Sequence, residues 1–338
     1  MTTFEGRPQV VVITGASSGI GRATALAFAK EGARVVVSAR REAPLHTLVA
    51  ECEQRGGQAL AVPADTTDEQ AMHQLARRAV ETFGGLDVWV NNAAVYTIGR
   101  FDDIPPEDFR RTIETNFFGY VNGCRAALQH FKRANWGVIV NVASVNGVAG
   151  APYSTAYASS KFAVRGFSEA LRQDLMGTDI SVCTILPASI DTPLFEHAAN
   201  YTGRALDPLG PIYEPEQVAS AIVRCASRPS REIIVGGAGK VMVAMHKFAP
   251  GMYERMLAWQ AEWDLFRDQP APHTSGNMYQ PMAEGAEVHG GWHRPGNAIY
   301  RAAMNPVTVS ASVGALASLP ALLSWRRRKK REQQEQAA

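Results

Sequence analysis

Tyr157 and Lys161 stand four residues apart, a spacing that stacks two side chains on one face of a helix. A phenol is a poor base at neutral pH because its ordinary pKa is near ~10. A lysine charge held beside it, with a cationic ligand ring nearby, favours the phenolate, so the two groups could work as one acid/base unit. Bringing the phenol to near 7 would take about three pKa units, or roughly 4 kcal/mol of differential stabilisation. A second chemical element lies near the N-terminus. The apolar run Val10–Thr14 reads as a buried strand, and Gly15-Ala16-Ser17-Ser18-Gly19-Ile20-Gly21 leads into the helix former Arg22–Lys30. A glycine-rich turn at a helix N-terminus lets backbone N–H groups approach a pyrophosphate. The spacing is Thr-Gly-x-x-x-Gly-x-Gly, distinct from the Gly-x-Gly-x-x-Gly of many dinucleotide folds.

Further marks follow in order: Asn91-Asn92-Ala93-Ala94 after an apolar strand, Asn116 in a helical stretch, and Ser144 thirteen residues before Tyr157. Together these resemble the short-chain dehydrogenase/reductase superfamily over roughly residues 8–240. The resemblance implies hydride transfer between a nicotinamide cofactor and a carbonyl or alcohol carbon. In it, Tyr157 donates or removes the proton and Lys161 lowers the tyrosine pKa and holds the nicotinamide ribose. Ser144 binds the substrate oxygen, and Asn116 holds a water linking Lys161 to solvent. The same resemblance assigns cofactor contacts to Gly15, Ser17, Ser18, Gly19, Ile20, Gly21, Asp65, Asn92, Ala93, Tyr157, Lys161, Pro187 and Thr192, and implies a homo-oligomer. Two positions depart from the family pattern. Ala188 and Ala94 stand where glycine is usual, and alanine does not freely adopt positive φ.

Cofactor choice turns on the end of the second strand. Ser38-Ala39-Arg40-Arg41 offers no carboxylate for the ribose hydroxyls and two guanidiniums for a 2′-phosphate, so NADP(H) is expected, with Arg40 and Arg41 as its ligands.

These groups need a scaffold that brings loops together. Apolar strands at 10–14, 34–38, 58–62, 86–90, 138–142, 180–186 and 232–235 alternate with helices over about 42–55, 68–83, 106–134, 154–176 and 215–226. That rhythm predicts an α/β, Rossmann-like, doubly wound seven-stranded parallel sheet with helices on both faces. The predicted organisation is a catalytic domain over 8–240, an extension over 241–300 and a tail over 301–338. The extension holds an amphipathic helix over Ala249–Phe266, read either as a docked surface helix or as a substrate lid or membrane-facing helix. A long irregular loop follows over 269–296. His289 and His293 are four apart, but Gly290 and Gly291 between them argue against a helical metal pair, so no metal site is expected.

A net charge of +2 argues against a protein-wide nucleic-acid surface. Four scattered cysteines read as buried thiols, and the short polar N-terminus reads as carrying no secretory signal, so a cytoplasmic protein is expected. Residues 307–325 carry no charge and precede Arg326–Arg331. A peripheral membrane contact through 307–331 and a solvated tail both remain open. Phe195, Tyr201, Tyr213, Trp259 and Trp263 suggest an apolar small-molecule substrate. Other function classes stay beside the reductase: a non-catalytic NADP(H)-binding sensor or scaffold, and a membrane-associated interaction protein.

Overall fold

Val10–Thr14, β-branched throughout, forms a fully buried strand, β1, at the centre of the molecule. The structure, a computed structural model, describes residues 8–292. After β1 come α1 (Gly19–Lys30), β2 (Arg34–Ser38), α2 (Glu42–Gln54), β3 (Gln58–Ala61), α3 (Glu69–Phe83), β4 (Val88–Asn91), β5 (Thr97–Ile98), α4 (Pro106–Ile113) and α5 (Gly119–Ala134). The second half holds β6 (Gly137–Val142), α6 (Thr155–Asp174), β7 (Ile180–Pro187), β8 (Ala199–Asn200), β9 (Arg204–Leu206), α7 (Pro215–Ser227), β10 (Glu232–Val235), α8 (Gly237–Phe248), α9 (Pro250–Asp264) and β11 (Phe266–Pro270).

Seven strands form one sheet in the order β3-β2-β1-β4-β6-β7-β10, every neighbouring pair parallel. This is the doubly wound sheet expected from the sequence. The chain winds outward from β1 in one direction and from β4 in the other, so the strand order reverses between them, and a crevice opens beyond their carboxyl ends. Alternate residues of the strands face two cores. Val11 and Ile13 pack with residues of α1, α2 and α7, whereas Val10 and Val12 pack with residues of α3 and α5. Local signals set the helix ends: Asp68 caps α3 by accepting from the amides of Gln70 and Ala71, and Pro106 opens α4.

The single helix predicted over 106–134 is interrupted. Glu114–Phe118 forms a π-helical turn between α4 and α5. Such single π turns often mark functional sites, and this one contains Asn116. The boundary expected at residue 240 falls inside α8, and the extension packs back on the domain: α8 lies against α9, and β11 pairs with β9. Residues 301–338 lie outside the described residues, and with them the uncharged segment 307–325 and its basic cluster; His293 does too. Among the described residues no helix is long and apolar enough to cross a membrane.

A buried polar chain ties β4 to β6. Trp89 Nε1 donates to Asn91 Oδ1 (2.7 Å), Asn91 Nδ2 to Asn141 Oδ1 (2.8 Å), and Asn141 Nδ2 to Ser168 Oγ (2.9 Å). Gly123 of α5 makes room for it, since a Cβ there would lie 2.1 Å from Asn91 Oδ1 and 2.6 Å from Trp89 Nε1. Gly123→Ala is therefore expected to lower unfolding stability by about 1–3 kcal/mol, measurable as a reduced urea midpoint with an unchanged slope.

Candidate active site

Asn92 organises the crevice. Its side-chain amide donates to the carbonyls of Thr14 and Gly15, both at 3.1 Å, and so fixes the glycine turn to the end of β4. Thr14 Oγ1 receives the amides of Asn92 and Ala93 and donates to Val90 O. Gly21 lets the first turn of α1 sit against this loop, because a Cβ there would stand 2.3 Å from the Gly15 carbonyl oxygen. Backbone can thus approach a ligand at the start of α1, as a pyrophosphate requires.

A continuous cleft runs from this loop past the ends of β4, β6 and β7. Its walls include Gly15, Ser17, Ser18, Gly19, Ile20, Arg40, Arg41, Asp65, Asn92, Ala93, Ser144, Tyr157, Lys161, Pro187 and Thr192. Gly21 and Asn116 stand behind the wall. The residues on the wall fit a dinucleotide: polar backbone at the α1 end, cations beside the end of β2, and a titratable cluster at the far end.

At that far end the π turn places Asn116 beneath α6. Its Oδ1 accepts from Val95 N (2.8 Å), and its Nδ2 donates to Val95 O (2.9 Å) and Ser160 Oγ (3.1 Å). Both ends of its side-chain amide are thus engaged by protein, which locks the loop after β4 to α6. Lys161 is 2% exposed; its Nζ donates to Val142 O (2.9 Å) and Tyr120 Oη (3.3 Å) and lies 5.6 Å from the centre of the Tyr157 ring. Ser144 accepts from the amide of Asn146 and also hydrogen-bonds Tyr157.

The lowering expected of the phenol involves a nicotinamide charge as well as Lys161; the polypeptide's own groups act in the other direction. Burial drives Tyr157 well above its ordinary value, the neighbouring Tyr96 pushes the same way, and Ser144 pulls it back only in part. Burial also brings Lys161 down to about 7. The ammonium reaches the Val142 carbonyl and Tyr120, so desolvation outweighs its pull on the phenol. The protein alone thus holds Tyr157 as a neutral acid.

Sequence reasoning missed Tyr96, whose ring meets Tyr157 edge-on at 4.4 Å and whose hydroxyl lies by Ser154, and Tyr120, which shares the Val142 carbonyl with Lys161. No motif signals either. It also missed Tyr153, which adopts φ +60°, hydrogen-bonds Glu262 of α9 and packs edge-on against Phe266. Neither Ala94 nor Ala188 takes positive φ, so both alanines fit their loops.

Of the five aromatics expected at the substrate, Phe195 lines the cleft. Tyr201 bonds Asp108, Tyr213 accepts from the amide of Ala238, and Trp259 and Trp263 are 64% and 71% exposed on the outer face of α9. The inner face of α9 closes the cleft instead, through Leu257, Gln260 and nearby Leu265. Asp65 lies on the wall, but its carboxylate is engaged by Thr67 and Arg111. All four cysteines are buried and free. His289 faces Asp191, Glu214 and Glu216.

The doubly wound sheet, the glycine turn at the strand-order switch and the Ser-Tyr-Lys cluster are matched by comparisons that mark the chain as an oxidoreductase. The family model for short chain dehydrogenases matches residues 9–201, and the chain belongs to that family. It is 37% identical over 320 residues to the uncharacterised oxidoreductase YxnA of Bacillus subtilis, covering 92% of this chain and 89% of that protein. The 3-oxoacyl-[acyl-carrier-protein] reductase FabG of Thermotoga maritima is 35% identical over 230 residues, covering 67% of this chain and 93% of FabG. An alcohol dehydrogenase from Thermococcus sibiricus, solved with 5-hydroxy-NADP, superposes with a TM-score of 0.60 at 26% identity, over 68% of this chain and 96% of that one.

A consequence of the buried ammonium is testable without cofactor. The unfolded chain keeps Lys161 protonated up to about 10.5, whereas the folded protein releases that proton near 7. Between these values the unfolded state binds more protons, so this residue makes stability rise with pH, and the burial cost is felt in full below 7. Urea midpoints of wild type and Lys161→Met at pH 6 and pH 9.5 should show a larger rise for wild type.

Proposed function

We propose that the protein transfers a hydride between NADP(H) and a carbonyl or hydroxyl carbon of an apolar small molecule. The observation behind this reading is the convergence of Tyr157, Lys161 and Ser144 on one apolar end of a cleft whose other end is the glycine turn. When bound, the nicotinamide ring supplies the hydride to a carbonyl carbon, or accepts one from a carbinol carbon. Ser144 donates a hydrogen bond to the substrate oxygen and stabilises charge as it develops there. Tyr157 gives its proton to that oxygen in reduction and takes it back in oxidation. A phenol carries its proton at neutral pH, so Tyr157 can act as the donor in reduction. Lys161, held by Val142 O, then faces a phenolate it can stabilise.

Tyr96, Leu194, Phe195, Leu209, Met242 and Leu257 line the region around Tyr157. They exclude water and favour an apolar ligand body, with Gln260 as a polar group on α9. Both FabG and the archaeal dehydrogenase act, by their names, on carbonyl or alcohol groups, and the latter was solved with an NADP derivative. The absence of a carboxylate after β2, with Arg40 and Arg41 there, supports NADP(H) over NAD(H).

A screen of apolar ketones and secondary alcohols, read by nicotinamide absorbance, tests the reading. Tyr157→Phe should lower kcat by about 10²–10⁴-fold while NADPH still binds; undiminished turnover in that variant would falsify the role given to Tyr157. Catalytic efficiency should be higher with NADPH than with NADH, and parity would remove the cofactor assignment.

A further inference from the structure

Both arginines assigned to the cofactor already have partners. Arg40 donates from Nη1 to Met278 O (3.0 Å) and Tyr279 O (3.4 Å) and from Nη2 to Asn277 O. Arg41 donates from Nη1 to Met282 O (3.1 Å) and Glu284 O (2.6 Å), and from Nη2 to Gly285 O (3.0 Å) and Ser17 Oγ (3.2 Å). Six backbone carbonyls of one segment thus converge on two guanidiniums. The segment continues to the start of α1, where the Gly19 amide donates to Glu287 O (2.9 Å). It therefore uses both kinds of group that an adenosine phosphate would use: side-chain cations beside β2 and a helix-start amide.

The segment is tethered at both ends by contacts that involve neither arginine. At one end the Asn277 amide donates to His197 O, and Met278 is fully buried. At the other, the Trp292 amide donates to Asp191 Oδ1 (2.8 Å), its Nε1 to Thr192 O (3.0 Å), and its ring meets Phe195. The cleft persists beneath it, since Asn277, Pro281 and Met282 are among its walls.

We propose that residues 277–287 form a built-in strap whose carbonyls stand in for phosphate oxygens on Arg40 and Arg41, so that the strap and a 2′-phosphorylated cofactor compete for the same guanidiniums. The inference rests on the NADP(H) reading above and adds to it a device that sets cofactor affinity. A guanidinium donor cannot serve a carbonyl and a phosphate oxygen at once with full strength. The affinity for a 2′-phosphorylated ligand is therefore reduced by the fraction of molecules in which the strap is closed. A ligand without that phosphate leaves the six carbonyls in place and is affected less. Loosening the strap must then strengthen NADPH binding more than NADH binding. A clasp closing over bound cofactor would give the opposite sign.

Isothermal titration of the full chain with NADPH, NADH, 2′,5′-ADP and 5′-AMP, in wild type and Trp292→Ala, reads this directly. The expected result is NADPH and 2′,5′-ADP binding tightened about fivefold or more in the variant, with a smaller change for NADH and 5′-AMP. Unchanged or weaker NADPH binding in a folded variant overturns the competition. Hydrogen exchange on the wild type gives a second arm that does not depend on the variant folding. Peptides covering 277–287 should exchange faster on saturation with NADPH and not with NADH; slower or unaltered exchange with NADPH also overturns the strap. Turnover with either nicotinamide cofactor leaves the oxidoreductase reading standing when the strap fails. Absence of binding by both dinucleotides removes the two together.

Discussion

The hydrogen bond from the Lys161 ammonium to the Val142 carbonyl is the contact on which the site depends. It fastens the middle of α6 to the end of β6 and so fixes where Tyr157 and Ser144 can stand relative to one another. It also places a charge where almost no water reaches, and the low polarity of that place then governs both titratable groups. The ammonium is brought down to about 7 and the phenol is pushed up. The pair is best described as a neutral acid beside a marginal cation, waiting for charge supplied from outside the polypeptide. Titratable groups so placed can change protonation state with what enters the cleft.

Several other contacts in the fold shape that cleft. The reversal of strand order between β1 and β4 opens the crevice, and Thr14 and Asn92 stitch its floor with hydrogen bonds on both sides of the reversal. The π turn sets Asn116 so that both ends of its amide bind the loop after β4 and α6. On the open side, α9 closes the apolar end with Leu257 and Gln260, and Tyr153 connects it to the loop before α6. Nearby, the segment after residue 276 lies along the cationic end. The extension after the sheet is thus part of the site.

The central sheet was legible because buried parallel strands are short, β-branched and evenly spaced, and helices fill the gaps between them. The glycine turn and the Tyr157–Lys161 pair were legible because their chemistry demands fixed spacing. Three features were not. The π turn at Asn116 has no local signal, and the partner of its side chain, Val95, lies twenty-one residues away in the sequence. The orientation of α9 was misread because its most conspicuous residues, Trp259 and Trp263, sit on the solvent face while the smaller Leu257 and Ala261 face inward. The occupation of Arg40 and Arg41 depends on contacts across some 240 residues of chain, and composition near β2 says nothing of carbonyls arriving from residue 277 onward.

The central claim is that desolvation, with no cofactor present, keeps Tyr157 a neutral phenol. A titration of tyrosine-ring carbon-13 signals in the free protein, with the Tyr157 resonance assigned by its loss in Tyr157→Phe, tests it most directly. The account predicts a Tyr157 signal that is still that of the protonated ring at pH ~10, where an ordinary tyrosine is half ionised. A Tyr157 signal that ionises near neutrality in the free protein would contradict it.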